Sequence, residues 1–184
     1  MQEQMLTNIN NLEDDLTKAI NQYWKAFSSF DTWQFWLACL MLVLPLIAFY
    51  FFVDRKKLFI ICFFGYTYHV FLSYFDAFMN RHNFWEYPYF LFPFLTSNIA
   101  IDAALLPVSY LLLYQYVINN NKNFYLYSLL LSLLFAFAFA GALQLLGLFR
   151  LTNGMNNFYL LLVDYGLALL SYWLTSIFIF FSKQ

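Results

Sequence analysis

The sequence predicts an all-α, polytopic membrane helix bundle, about five transmembrane helices preceded by an N-terminal amphipathic helix. Three observations predict it. Hydrophobic residues make up 63% of the 184-residue chain and charged residues only 10%, more apolar surface than a water-soluble domain of this size can bury. Five apolar runs each approach the ~20 residues needed to cross a bilayer. Residues 1–31, by contrast, are polar but patterned, which divides the chain into an amphipathic segment and a transmembrane domain over 32–184.

In the first segment Met5, Ile9, Leu12, Leu16, Ala19, Tyr23, Ala26 and Phe30 recur at alternating steps of four and three, a helical stripe. Glu13, Asp14 and Asp15 precede Lys18 and Lys25, the order a helix dipole favours, with Asp14 and Lys18 as an i,i+4 pair. Such a helix lies on the membrane, packs against the bundle, or pairs with a second copy in a homo-oligomer. Ala and Tyr in the seam make it a poor strict coiled coil. No basic stretch runs straight into an apolar core at the start, so the run from Trp33 is expected to act as an uncleaved signal anchor.

The expected spans are 33–53, 58–78, 95–118, 124–149 and 158–181. Between the second and third, residues 84–95 are apolar but interrupted by Pro88 and Pro93. A stretch this short does not cross, and it reads as interfacial or re-entrant. Alternation puts Arg55, Lys56, Lys57, Lys122 and Lys183 on one side and Lys18, Lys25, Arg81 and Arg150 on the other. Lys and Arg set orientation, and the compact Arg55-Lys56-Lys57 cluster marks the cytoplasmic side. The expected topology is a multi-pass protein of the cell membrane, N-terminus outside and C-terminus in the cytoplasm.

Three carboxylates, Asp76, Asp102 and Asp164, sit in or at the edge of apolar runs. A charge in hydrocarbon costs at least ~2.5–3.5 kcal/mol on insertion scales, so each needs a partner, a proton or a task. Five-span alternation brings them to one side whichever way the protein is oriented. Gln144 ends the fourth span on that side, and Arg81, His82, Glu86 and Arg150 lie in the adjoining loops. These eight residues form the candidate polar cluster. Each helix offers a face for it: Gly65, His69, Ser73 and Asp76 on the second span; Asp102, Ser109 and Tyr116 on the third; Asp164, Ala168, Ser171 and Thr175 on the fifth. Polar stripes in apolar helices point inward and hydrogen-bond across a bundle. In the fourth span Ala136, Ala138, Ala140, Gly141 and Ala142 give small-xxx-small pairs that permit close helix approach.

Three uses of the cluster follow. Asp76 with Arg81 or His82, and Asp164 with Arg150, make structural ion pairs in a non-enzymatic membrane module of the cell envelope. Alternatively the acids form a binding or proton-relay site in a small transporter subunit or ligand-binding component, since buried carboxylates exchange protons. Third, Asp76, His82, Glu86 and Asp102 act on a lipid-borne substrate as a membrane enzyme. A metal centre is not expected, because no two ligands sit at i,i+3 or i,i+4 within one helix. His69 alone reads as a hydrogen-bonded bundle residue.

Other classes are excluded. A net charge of −1 argues against a nucleic-acid partner, leaving the lipid bilayer as the evident one. No Gly-rich phosphate loop, paired-Cys motif or HExxH is present, and no cofactor is indicated. Cys39 and Cys62 lie in neighbouring spans at depths that differ by roughly 15 Å, against the about 7 Å between Cα atoms that a disulfide needs.

Trp85-Glu86-Tyr87-Pro88, Asp102, Pro107-Val108 and Tyr114-Gln115-Tyr116, together with Tyr23-Trp24 and the basic 54–57 turn, resemble an uncharacterised family of small multi-pass membrane proteins from spore-forming Gram-positive bacteria. The resemblance covers nearly the whole chain and implies membrane location and helical architecture, with no activity attached. A fainter similarity is to short lycopene cyclase domains, which also place a Trp before a Pro-containing helix. Those domains carry adjacent Glu residues after that Pro, where this chain reads Leu106-Pro107-Val108-Ser109; the similarity implies no cyclase chemistry here.

Overall fold

The computed structural model describes residues 1–95 and 98–182. Among these residues six helices run in order: α1 (Gln2–Phe27), α2 (Trp33–Phe52), α3 (Leu58–Arg81), α4 (Ala100–Asn120), α5 (Phe124–Leu145) and α6 (Asn157–Phe181). Five are long and apolar enough to cross a membrane: α2, α3 with its preceding single turn (Arg55–Lys57), α4, α5 and α6. This is the architecture of a multi-pass membrane protein, all-α as the composition requires.

Local chemistry sets the ends. Thr32, Asn123 and Asn156 place side-chain oxygens on the first free amides of α2, α5 and α6, and Asp54 does the same for the Arg55–Lys57 turn. At the other ends the chain leaves the helix through left-handed residues: Asn83 (φ 54°), Asn121 (φ 52°) and Gly147 (φ 70°). Each is followed by an amide that reaches back to the fifth residue before it, Phe84 to Met79, Lys122 to Val117 and Leu148 to Leu143. Gly147 therefore closes α5 at Leu145, short of the expected 149. The third span starts at Ala100 instead of 95, because Pro88 and Pro93 keep the preceding chain irregular. Thr96 and Ser97, inside that expected span, lie outside the described residues, as does Lys183.

The bundle is built on α3, which packs against both α4 and α6, with α5 closing the opposite side and α2 packed on α4, chiefly over Ala100–Leu105. Gly65 is where α3 meets α4: a Cβ there would stand 2.5 Å from Leu111 Cδ1 and 3.1 Å from Leu111 Cβ. The small-residue run in α5 plays a narrower part than its spacing suggests, since Ala136 and Ala140 are buried while Ala138 and Ala142 are exposed. Towards the 54–57 end, aromatic rings fill the core. Phe64 stacks on Tyr114, Tyr68 on Tyr110 and Phe124 on Tyr172, each at 4.4 Å between centroids.

α1 has no buried residue. Its stripe of Met5, Ile9, Leu12 and Leu16 is exposed, so the helix does not pack against the bundle along its length. Only its last turn is attached: Trp24 Nε1 donates to the carbonyls of Phe90 and Leu91 at 3.0 and 3.1 Å, and Tyr23 stacks on Phe90. The ion pair within α1 is Lys18–Asp15, in place of the expected Lys18–Asp14.

Candidate functional site

At the end of the bundle opposite the basic turn, α3, α4, α5 and α6 line a partly open cavity of about 60 Å³. Asp76, Asp102 and Asp164 all line it, and they are 1%, 2% and 8% exposed. At ~1.5 Å per residue they sit on the order of 3–11 Å inside their helix ends, hence close beneath one membrane interface. The remaining wall is largely apolar and aromatic, with Phe135, Phe139 and Phe149 contributing rings.

The helix bearing Asp102 is distorted at that residue. Pro107 has no N–H for the carbonyls behind it and its ring crowds the carbonyl of Ala103. Ala100–Leu105 accordingly winds as a π-helix, the wider turn that often marks functional sites. The backbone carbonyl of Asp102, five residues before Pro107, takes a hydrogen bond from His69 Nδ1 at 2.7 Å. A second π segment, Leu134–Phe139 in α5, forms the facing wall. These wide turns also break the helical phase. Asp102 points inward, but Ser109 is half-buried and bonds the carbonyl of Leu105, while Tyr116 is exposed. The stripe expected at seven-residue steps is therefore not one face. On α6 the stripe persists, all four members being buried. Its hydroxyls, however, turn back to their own helix, Ser171 to Leu167 and Thr175 to Ser171, instead of bonding across the bundle.

Partners are divided unevenly among the acids. Asp76 Oδ1 accepts from Trp85 Nε1 at 2.8 Å and from the Tyr87 hydroxyl at 2.9 Å. Burial first, and the Asp76 carboxyl second, hold the Tyr87 phenol well above its ordinary value, so it remains a donor. Asp102 faces Asp76 closely enough for the two carboxyls to interact, and the Asn98 amide lies nearby. None of these contacts meets hydrogen-bond geometry: among the described residues, Asp76 Oδ2 and both oxygens of Asp102 are buried without a partner. Two ionised carboxyls are both acceptors and cannot satisfy one another.

The other five candidates lie outside the cavity. Arg150 pairs with Glu86 at 3.7 Å on an exposed surface, so the expected Asp164–Arg150 bridge is not made. Arg81 and His82 are exposed, and His82 Nδ1 donates to the carbonyl of Phe78 on its own helix at 2.8 Å. The expected pairs with Asp76 do not form, because the left-handed turn at Asn83 carries the loop away and returns Trp85 and Tyr87 in their place. Gln144 Nε2 bonds Asn157 Oδ1 at 2.9 Å, fastening α5 to α6 beside the site. Among the described residues, no group of three His, Cys, Asp or Glu is arranged to hold a metal ion.

The loops on either side of the cavity are clasped together, and they contribute Trp85, Tyr87 and Phe149 to its wall. β1 (Trp85–Glu86) and β2 (Arg150–Leu151) pair antiparallel, with Trp85 opposite Leu151 and Glu86 opposite Arg150. Thr152 N–H donates to the Phe84 carbonyl at 2.9 Å, and Thr152 Oγ1 and Asn153 Nδ2 donate to the Asn83 carbonyl. Under this clasp Trp85 and Phe149 are buried, with Tyr87 against Phe149 at 5.1 Å. The 84–95 segment thus caps one end of the bundle, and Trp85 and Tyr87 are site residues that charge alone did not reveal. Their signal was the Trp-Glu-Tyr-Pro run following a buried acid. No family model matches this chain, and no curated protein or solved structure does either.

Proposed function

We propose that this chain is a membrane-embedded binding protein, a receptor or transport component that holds a small, donor-rich ligand between α3, α4, α5 and α6. The observation that carries the reading is the set of three buried carboxyl oxygens without donors, in a cavity from which every candidate cation faces away. Acids kept only for structure are expected to be paired, since an unpartnered buried charge destabilises strongly. A single proton shared between Asp76 and Asp102 satisfies the two oxygens it bridges and leaves an acceptor of Asp102 open. A ligand fills the remainder.

Native mass spectrometry of the purified protein beside Asp76→Asn, Asp102→Asn and Asp164→Asn tests this. A stoichiometric small species in the wild type, lost from the variants, is the expected result. If none is found and the variants change only stability or oligomeric state, the reading fails and the scaffold role stands.

We also infer that the cavity opens to the outer face of a bacterial cell membrane, with the basic turn in the cytoplasm. Supporting this are the Arg55-Lys56-Lys57 cluster, which lies at the opposite end, and the resemblance noted above. In a chain freed of Cys39 and Cys62, Asn10→Cys should react with a membrane-impermeant maleimide on intact cells and Lys56→Cys should not. The opposite pattern inverts the topology.

A further inference from the structure

The size, wall chemistry and missing donors of the cavity together narrow what it can hold. We propose that it binds a compact ammonium-type cation, either ammonium or a short primary alkylammonium. This rests on the binding reading above and assigns that site its ligand class.

The stoichiometry of donors comes first. Asp76 Oδ2, Asp102 Oδ1 and Asp102 Oδ2 are the unpartnered atoms, and a primary ammonium carries three N–H donors and no acceptor. Asp102 is more than nine-tenths buried and lines the cavity, so its unpartnered oxygens face the space a ligand would occupy. Charge points the same way, because three carboxyls line the cavity and, among the described residues, no Lys, Arg or His joins them in the wall. A monocation offsets that charge and forms charge-assisted hydrogen bonds, about twice as strong as neutral ones.

Size and wall limit the rest of the ligand. A volume of about 60 Å³ admits about four to six water-sized groups, taking ~10–15 Å³ for each. That suits a compact headgroup with one or two carbons. Rings of Trp85, Tyr87, Phe135 and Phe149 offer π faces to a cation, and Leu72 and Leu143 offer an apolar seat for a short alkyl tail. A hard metal ion fits poorly. It needs about six oxygen ligands in a closed shell, whereas no metal-holding group of three is present among the described residues.

Isothermal titration calorimetry on the full chain in detergent tests the assignment, at constant ionic strength. The probes are ammonium, methylammonium, tetramethylammonium, potassium and sodium chlorides. Methylammonium or ammonium should bind saturably at one per chain and at least about tenfold more tightly than potassium, the loss expected when hydrogen bonds to a charge are removed. Tetramethylammonium, lacking N–H donors, should give no saturable heat, a comparison made on the wild-type protein that needs no variant to fold. Asp102→Asn, checked for an unchanged helical spectrum, should weaken methylammonium by about tenfold or more. Potassium, sodium or tetramethylammonium binding as tightly as methylammonium overturns the ligand class. So does silence from all five probes alongside a bound species in the native mass spectrum, an outcome that leaves the binding reading intact. Silence from the probes with no bound species overturns both.

Discussion

Asp76→Ala should destabilise this protein by about 3–6 kcal/mol, while Asp102→Asn should leave the ligand-free protein as stable as the wild type or up to about 1–2 kcal/mol more so. The two acids share a cavity but not a role. Asp76 is the acceptor for Trp85 Nε1 and the Tyr87 hydroxyl, and its removal strands two buried donors, each worth about 1.5–3 kcal/mol when bonded to a charged group. Asp102 has no side-chain partner to strand. An amide in its place removes a buried charge and supplies N–H donors to the facing Asp76. Thermal unfolding in detergent, with and without methylammonium, reads both effects. Wild type should be stabilised by the probe, Asp102→Asn should not respond to it, and Asp76→Ala should melt early in either condition. Equal destabilisation by the two substitutions would show that Asp102 is satisfied in the apo protein and is not the open half of the site.

The second large effect belongs to the clasp. Trp85→Ala should cost about 3–5 kcal/mol, the range for truncating a buried aromatic, and should open the cavity further to water. Trp85 is buried against Phe75 and Phe149 while its indole N–H reaches Asp76. Trp85→Phe keeps most of the bulk and loses the donor, so a smaller cost of about 1–3 kcal/mol is expected. Accessibility separates the two. In a chain without its native cysteines, Ala136→Cys places a thiol on the buried cavity wall. A water-soluble thiol reagent should modify it rapidly in the Trp85→Ala background, and slowly with Trp or Phe at 85. Rapid modification in all three would show that the clasp of β1 and β2 does not seal the site.

Much of the architecture was legible because lipid imposes a simple rule. Runs near ~20 apolar residues identify spans whatever their packing, and parity of alternation then assigns each helix end to a side. That reasoning alone brings Asp76, Asp102 and Asp164 to one level. What it could not give is direction within that level. Arg81, His82 and Arg150 sit near the acids in sequence, yet the left-handed backbone at Asn83 and the pairing of residues 85–86 with 150–151 decide which side chains turn inward. Charge complementarity favoured the arginines; the structure chose Trp85 and Tyr87. The stripe on α4 failed for a different reason, because seven-residue spacing presumes an uninterrupted α-helix and Pro107 breaks that assumption. Pro107 was visible in the sequence, but the phase lost over Ala100–Leu105 was not. Boundaries erred where irregular backbone is apolar, as before Ala100 and after Leu145, since hydropathy records composition and not hydrogen bonding.

The π segments carry one last consequence, for chain length. A helix that spans a bilayer ordinarily tolerates neither gain nor loss of a residue, because every side chain beyond the change is turned to a new neighbour. A π turn holds one residue more than the α-helix it interrupts. Within Ala100–Leu105 or Leu134–Phe139, a one-residue gap would tighten the turn and leave both flanks in place. Single-residue deletions tolerated inside this membrane domain should therefore fall where α4 and α5 line the cavity, so that the proposed ligand site is also where the chain is free to shorten.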